Sequence, residues 1–230
     1  MLKKTLIAAL FVAFMPAAPA LAAEPSPGET VTFEATDGTP LSGVWRGDGG
    51  KTVILSHQAG ITQEGWAPLV AGLQAAGYTT LTYNFRGHPP SSGTLNTDML
   101  DADLRGAIAF ARSRGADHLT LIGASMGGIA TAMLADEVLP DAYVAIASSR
   151  SFGALRITDD DLAVPAAKLF ITAERDGAAA SMKRMAEAAA DPATLSLYPG
   201  SFHALLLFKT PAADQLVEEI VGFVKTHMPL

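Results

Sequence analysis

The chain has 230 residues, of which 49% are apolar, and it carries a formal net charge of −7. This length and composition favour one domain of moderate size with a substantial hydrophobic core. The sequence contains no cysteine, which excludes disulfides, thiol nucleophiles and thiolate metal sites. Its acidic balance, without a basic run in the domain, disfavours nucleic-acid binding.

The first 22 residues have the pattern of an export signal. Two lysines supply the positive charge, Leu6 to Met15 form the apolar stretch, and Ala20 to Ala22 form a small-residue cleavage site. A lipid-spanning anchor is disfavoured because Pro16 and Pro19 interrupt the apolar run well short of the roughly 20 residues that a span needs. We therefore expect an exported protein, periplasmic or secreted, without a stable membrane anchor.

Cleavage after Ala22 would leave a flexible leader over 23–29 and a single domain over 30–230. The leader is rich in proline and polar residues. Removal of the two signal lysines leaves 14 basic residues against 23 acidic residues, which gives a formal charge of −9.

Apolar segments and helical patterns alternate along the domain. Two short segments flank a cluster of turn formers and predict an antiparallel hairpin over 31–35 and 41–45. Later runs rich in β-branched and apolar residues predict buried parallel strands at 52–56, 79–83, 119–122, 143–147 and 169–172. The helical patterns between them cover 63–76, 98–114, 128–139 and 181–190. This order predicts an α/β fold, with a mostly parallel central sheet and helices on both faces.

A closing helix is marked both at its start and along one face. Thr210 is the expected N-cap and Pro211 the expected first helical residue. Leu216, Ile220 and Phe223 recur on one face, which predicts that this face packs against the rest of the domain.

A glycine-rich turn, Gly123 to Gly128, lies between a predicted strand and a predicted helix. Such a sharp turn lifts a serine hydroxyl from the sheet in a strained backbone conformation, and Gly123 and Gly127 supply the necessary room. The turn predicts Ser125 as a nucleophile and the amide of Met126 as an oxyanion donor at the helix N-terminus. The alternative is that the glycines only make a tight connection.

A serine nucleophile needs a base, and the base needs a third group that fixes its tautomer. Asp176 follows a predicted strand, where open α/β sheets place their site residues, and it is the expected acid. The alternatives are Glu174 and the acidic run 159–161, which has no predicted strand before it and suits a turn or helix cap. His203 follows the strand-like run 194–198 and keeps the Ser, Asp, His chain order, so it is the expected base.

Two further loops follow predicted strands. The loop Ser56 to Gly60 is expected to supply a second oxyanion amide, with Ala59 as the first choice and Gln58 as the alternative. His57 is interpreted as a brace for this loop, with a catalytic role as the alternative. Arg86 is interpreted as a brace for nearby loop carbonyls, with steering of an anionic substrate as the alternative.

Together these motifs resemble the α/β-hydrolase superfamily over nearly the whole domain. The turn around Ser125 resembles the superfamily's nucleophile elbow, and the segment Asn84 to Gly87 resembles its frequent strand-end sequence. The loops of Asp176 and His203 resemble its acid and base loops. The resemblance implies that Ser125, Asp176 and His203 form a catalytic triad, and no metal or organic cofactor is implied. One departure is Gln58, because many members have a glycine after the corresponding histidine.

The spacing between two of the predicted strands bears on the substrate. Only about 20 residues separate the strand that ends near 147 from the strand that starts near 168. Members with a lid usually insert a helical cap there, so the resemblance implies no large cap domain and an open site. The nearest likenesses are the dienelactone-hydrolase-like and small carboxylesterase branches.

These observations predict an exported serine hydrolase that cleaves small carboxylic esters through an acyl-enzyme intermediate. A peptidase or amidase with the same triad is one alternative, since the same residues cleave amides. A catalytically silent exported binding protein on the hydrolase scaffold is the other.

Overall fold

The structure is a computed structural model, and it describes residues 27–230. The predicted export signal and residues 23–26 of the predicted leader lie outside the described residues. The leader was expected to extend to Glu29, but Glu29 already begins the first strand and pairs with Trp45. Among the helices between residues 27 and 230, none combines the length and the apolar character that a membrane span requires.

Residues 27–230 contain ten strands, numbered along the chain as β1 (Glu29–Glu34), β2 (Pro40–Arg46), β3 (Gly50–Ser56), β4 (Thr79–Tyr83), β5 (Ala116–Ala124), β6 (Ala142–Ile146), β7 (Ser151–Phe152), β8 (Leu155–Arg156), β9 (Ala167–Ala173) and β10 (Ala193–Tyr198). Eight of them form one mixed sheet in the order β1-β2-β4-β3-β5-β6-β9-β10. In this sheet β2 is antiparallel to both β1 and β4, whereas all other neighbours are parallel.

Helices cover both faces of this sheet. The α-helices are α1 (Ala67–Ala75), α2 (Leu100–Ser113), α3 (Met126–Val138), α4 (Asp159–Leu162), α5 (Ala179–Ala188) and α6 (Ala213–His227). The helix α1 packs against α6, and α2 packs against α3. Short 3₁₀ turns cover Gln63–Trp66, Thr97–Met99 and Ala204–Lys209. The predicted α/β fold is confirmed.

The central strands are buried along their whole length. Every residue of β4, β6 and β9 is buried. This is the pattern of strands covered by helices on both faces. Apart from Lys168 in β9, the residues of these strands are accordingly apolar, aromatic or β-branched, without alternation.

The register of the parallel strands brings the loops after five of them to one edge of the sheet. Ser56 at the end of β3 is paired with Gly123 near the end of β5. The ends of β6 and β9 are paired in turn, and Tyr198 at the end of β10 is paired with Ala173 at the end of β9. The loops that follow these strands carry the side chains predicted to do chemistry.

The start of the closing helix differs from the prediction. The helix begins at Ala213, and no side chain caps it. The Thr210 hydroxyl instead donates to Leu207 O at 2.8 Å and accepts from the Ala212 amide at 3.2 Å. Thr210 therefore stabilises the preceding 3₁₀ turn, which occupies the chain up to Lys209 and delays the helix by two residues.

The residues predicted to form the apolar face of α6 pack against the core, as expected. Leu216 and Ile220 are fully buried, and Phe223 is half-buried against the core. The segment between β6 and β9 holds only the two-stranded hairpin β7–β8 and the four-residue helix α4. No large cap domain is inserted at this point of the chain.

Candidate active site

The turn that carries Ser125 has a strained backbone. Ser125 has φ 51° and ψ −115°, a conformation that costs free energy for a residue with a side chain. Its amide donates to Ile146 O at 2.8 Å, and its carbonyl accepts from the Ser148 hydroxyl at 3.0 Å. These two bonds tie the turn to the end of β6, so the strain is maintained by the neighbouring strand.

The two glycines predicted to make room for this turn are in close backbone contact. A Cβ added at Gly123 would overlap the backbone of Gly127. A Cβ added at Gly127 would overlap the carbonyl oxygens of Ser56 and His57. The first contact closes the strand–helix turn on itself, and the second packs the start of α3 against the loop after β3.

Ser125, His203 and Asp176 form one chain of hydrogen bonds. His203 Nε2 lies 3.0 Å from Ser125 Oγ, and His203 Nδ1 lies 2.8 Å from Asp176 Oδ2. The Asp176 side chain is 1% exposed, whereas the His203 side chain is 40% exposed. A carboxylate only accepts hydrogen bonds, so Nδ1 carries the proton and Nε2 is left to accept from the serine hydroxyl.

The Asp176 carboxylate is held by the main chain as well as by His203. Its Oδ1 accepts from the Ala178 amide at 2.6 Å, which leaves Oδ2 for the imidazole. Its rival Glu174 is exposed and does not enter this chain of hydrogen bonds. The geometry of the site therefore selects Asp176 from the predicted candidates.

The acidic run 159–161 forms the short helix α4, away from the Ser125 hydrogen bonds. Its N-cap is Thr158, whose hydroxyl accepts from the Asp161 amide at 3.2 Å. The Asp161 carboxylate in turn accepts from the Thr158 amide at 2.7 Å. This is a capping box, as the alternative of a helix cap predicted.

The loop of His203 is fixed at both ends. Before it, the Arg175 amide donates to Gly200 O at 2.9 Å, which joins the acid loop to the base loop. After it, the Leu205 amide donates to the side-chain oxygen of Gln58 at 2.7 Å. Gln58 thus connects the loop after β3 to the loop of the predicted base.

The bond from Leu205 to Gln58 was not foreseen from the sequence. The sequence signal for this bond was Gln58 itself, because many members of the superfamily have a glycine at this position, and a glycine has no side chain to make such a bond. Ser148 was also missed as a partner of the Ser125 turn, although its position just after β6 places it at the same edge of the sheet.

The two predicted oxyanion donors belong to different segments, the N-terminus of α3 and the loop after β3. Met126 is the first residue of the 13-residue helix α3, so its amide is at the positive end of the helix dipole. Ala59 is exposed, whereas Gln58 is buried with its side chain bound to Leu205. The role of either loop amide in holding an oxyanion stays a prediction.

His57 is fully buried and engages the main chain with both ring nitrogens. Nδ1 donates to Gln58 O at 2.7 Å, and Nε2 accepts from the Phe85 amide at 3.0 Å. Burial lowers the pKa of His57 to about 4, so the ring is neutral at neutral pH. These contacts agree with the bracing interpretation and leave neither nitrogen for Ser125.

Arg86 braces the loop after β4, but with partners other than those predicted. Its guanidinium lies 2.8 Å from an Asp37 carboxylate oxygen and 2.6 Å from one of Asp103. The prediction of loop carbonyls was wrong, because a buried guanidinium is better stabilised by carboxylates of opposite charge. Donation by Arg86 holds the pKa of Asp37 well below its usual range.

An open cavity of about 330 Å³ lies directly at Ser125. The residues that line it are mostly small or polar, and the His203 ring forms part of its wall. Ser149 and Ser201 add hydroxyl groups beside the predicted triad. We refer to this space, bounded by Ser125, Ser149, Asp176, Ser201 and His203, as the polar cavity.

Comparisons with known proteins give two kinds of relative. The protein named "Uncharacterized protein YfhR" from Salmonella typhi is 34% identical over 115 residues, which is 45% of this chain. The YfhR protein of Salmonella typhimurium matches to the same extent. The match spans 39% of the length of each of these proteins.

Solved structures match over more of the chain but at low sequence identity. The esterase Pf2001 from Pyrococcus furiosus is 19% identical, with a TM-score of 0.74 over 88% of this chain and 91% of that protein. A monoacylglycerol lipase from Paleococcus ferrophilus is 14% identical, with a TM-score of 0.70 over 81% of this chain and 99% of that protein. At these identities the likeness establishes the shared fold.

Family membership follows from the sequence model of one family. The model described as the alpha/beta hydrolase family matches residues 53–223. This stretch runs from β3 to α6 and includes Ser125, Asp176 and His203. The chain therefore belongs to the alpha/beta hydrolase family.

Proposed function

We propose that this protein is a serine hydrolase that cleaves small carboxylic esters through an acyl-enzyme intermediate. The observation that carries the proposal is the chain of hydrogen bonds from Asp176 through His203 to Ser125. This chain ends on a serine whose strained turn opens onto the polar cavity. Membership of a hydrolase family supports the same reaction class.

In the first half of the reaction, Ser125 Oγ attacks the ester carbonyl. His203 Nε2, 3.0 Å away, accepts the hydroxyl proton as the new bond forms. Asp176 keeps the imidazole in the required tautomer and stabilises the imidazolium. The amides of Met126 and Ala59 are the proposed donors to the tetrahedral oxyanion.

Collapse of the tetrahedral intermediate breaks the bond to the alcohol. His203 Nε2 returns its proton to the leaving oxygen, and the acyl group remains on Ser125 Oγ. A water molecule then attacks the acyl carbonyl, with His203 again as the base, and the acid is released with Ser125 restored. The half-exposed edge of His203 gives that water access from solvent.

The openness of the site supports small esters as substrates. Residues 27–230 contain no large cap domain over Ser125, and the volume of the polar cavity lies at the lower end of the range for ligand sites. An open site of this kind admits a small alcohol group without a conformational change of a lid.

The test is hydrolysis of 4-nitrophenyl acetate and butyrate by the purified protein and by Ser125→Ala. We expect turnover by the first and none above the background rate by the second. Ser149→Ala is the matched control, because it removes another hydroxyl from the same cavity and should retain turnover. Cleavage of 4-nitroanilides with no cleavage of esters would replace the esterase proposal with an amidase.

We also propose that the protein is exported. The support is the charged, apolar and small-residue pattern of residues 1–22. Mass spectrometry of the protein recovered from an extracytoplasmic fraction tests this proposal, because the mass shows at which residue the chain starts. A chain that starts at residue 23 is expected, and a full-length chain confined to the cytoplasm would contradict the proposal.

A further inference from the structure

A second and more apolar cavity lies beside the predicted base. Its volume is about 400 Å³, within the range of small-molecule sites. Its apolar walls come from the segment after the oxyanion loop and from the 3₁₀ turn after His203. These walls are Ile61, Pro68, Leu205 and Phe208, and we call the space between them the apolar groove.

The charged residues at this groove do not make its interior polar. Glu64 and Lys209 are exposed. The Glu64 carboxylate is hydrogen-bonded by the Thr62 hydroxyl of its own loop. Leu205 and Phe208 are buried in the protein, so the floor of the groove presents hydrocarbon to whatever enters it.

The groove and the polar cavity share no lining residue, but two chain segments place the groove next to the catalytic residues. Gly60 lines the groove and directly follows Ala59, the proposed oxyanion donor. Leu205 lines the groove and lies two residues after His203, which lines the polar cavity. The bond between the Leu205 amide and Gln58 holds these two segments together.

The position of His203 decides which part of an ester enters each cavity. The leaving oxygen must lie within hydrogen-bond reach of His203 Nε2 to receive its proton. His203 forms a wall of the polar cavity, so the alcohol group occupies that side. The carbonyl oxygen points to the amides of Met126 and Ala59, and the acyl chain then continues past Ala59 and Gly60.

We infer that the apolar groove binds the acyl chain of the substrate, so that the protein prefers esters of medium-length acyl chains with small polar alcohols. The inference rests on the proposed esterase function and specifies its substrate class. Burial of each methylene favours binding by about four-fold. The value of kcat/KM should therefore rise from acetate to octanoate, and it should fall again once the chain outgrows the groove.

The test variant is Ile61→Trp, which fills the groove from a half-buried position. For 4-nitrophenyl octanoate we expect kcat/KM to fall about 50-fold, the effect of about three buried methylenes. For 4-nitrophenyl acetate it should change by less than about two-fold, because two carbons do not reach Ile61. An equal loss on both esters, or no loss on either, would overturn the inference.

Leu230→Trp is the matched control. Leu230 is 69% exposed and lies beside Gly77, at the opposite edge of the sheet from Ser125. The same bulky side chain added there should leave the acyl-chain profile unchanged.

Binding without hydrolysis separates this inference from the proposed function. Calorimetric titration of Ser125→Ala with octanoate and with acetate measures the affinity of the groove for each acid when turnover is absent. We expect octanoate to bind more tightly than acetate, and Ile61→Trp in the same background to abolish the difference. Equal affinities for the two acids would refute acyl-chain binding in the apolar groove even if esters are hydrolysed. Selective octanoate binding without ester hydrolysis would support acyl-chain binding in the groove and reject the proposed esterase function.

Discussion

Two histidines lie in loops at the same edge of the sheet, one after β3 and one after β10, and their surroundings differ. Both ring nitrogens of His57 are bonded to the main chain, and the residue is fully buried. His203 is bonded to a carboxylate on one side and a serine hydroxyl on the other, with 40% of its side chain exposed. Location at the strand ends therefore does not distinguish these two histidines, whereas the hydrogen-bond partners of their ring nitrogens do.

Substitutions of His203 and His57 should therefore affect different properties of the protein, catalytic rate for His203 and the pH dependence of stability for His57. His203→Gln removes the base, and we expect kcat for an ester to fall about 10⁵-fold. The melting temperature should stay close to that of the unchanged protein, because a half-exposed side chain contributes little packing. A steady-state assay and a thermal melt together check this. Retention of most of the activity would reject His203 as the base.

The change Asp176→Asn tests whether the carboxylate fixes the imidazole tautomer. An amide can donate to Nδ1 and so favour the wrong tautomer, and we expect kcat to fall about 10⁴-fold with a smaller change in KM. Single-turnover kinetics would locate the loss in the acylation step. Glu174→Gln is the matched control, because its carboxylate is exposed, and it should keep full activity.

The buried His57 should make the fold sensitive to acid. Its pKa is lowered by burial to about 4, against an ordinary value near 6.5, so the unfolded chain binds a proton that the folded chain does not. The stabilising contribution is complete above about pH 6.5 and is lost as the pH falls through the folded value of about 4. The free energy of unfolding should decrease by about 3 kcal/mol over that interval from this residue.

Denaturant titrations at several pH values measure this contribution. The pH slope between about 6.5 and 4 should be shallower for His57→Gln than for the unchanged protein. Thr52→Val serves as the control, because Thr52 is as deeply buried as His57 but carries no titratable group, and it should retain the original slope. Equal slopes in all three proteins would contradict the assignment of a neutral, buried His57.

The smallest effect is expected at Gln58, which links the two histidine loops. Gln58→Ala leaves the Leu205 amide without its acceptor, at a cost of about 1–2 kcal/mol. We expect kcat for 4-nitrophenyl acetate to fall about ten-fold with little change in KM, because the loop that carries His203 loses one of its hydrogen bonds. Gln58→Glu keeps an acceptor oxygen and should recover part of the rate. A change in stability without any change in kcat would show that the bond between Gln58 and Leu205 has only a structural role.

Periodicity and composition were sufficient for most of the fold. The strand β4 was predicted with its observed bounds, and the other long strands were predicted to within a few residues. The strands β4, β6 and β9 are continuously buried, so their sequences carry a strong signal. The hairpin β7–β8 was missed because each strand has two residues, too few for any periodic pattern. The start of α6 was misplaced because Thr210 and Pro211 suit a helix cap but serve a preceding turn.

The site was predictable where each residue follows a strand. Ser125, Asp176 and His203 were selected by strand ends and chain order, and the structure brings their side chains into contact. The partners of Arg86 were not predictable, because Asp37 lies in the β1–β2 turn and Asp103 lies in α2, and only the fold brings these segments together. The same holds for the apolar groove, whose walls come from two segments about 140 residues apart.

Covalent labelling tests whether Ser125 is the activated nucleophile that we propose. The purified protein would be treated with a fluorophosphonate, digested, and analysed by mass spectrometry of its peptides. We predict one phosphonylated residue, Ser125, with labelling abolished in Ser125→Ala, strongly slowed in His203→Gln and unchanged in Ser201→Ala. A folded protein that remains unlabelled, or labelling that persists in Ser125→Ala, would contradict the account.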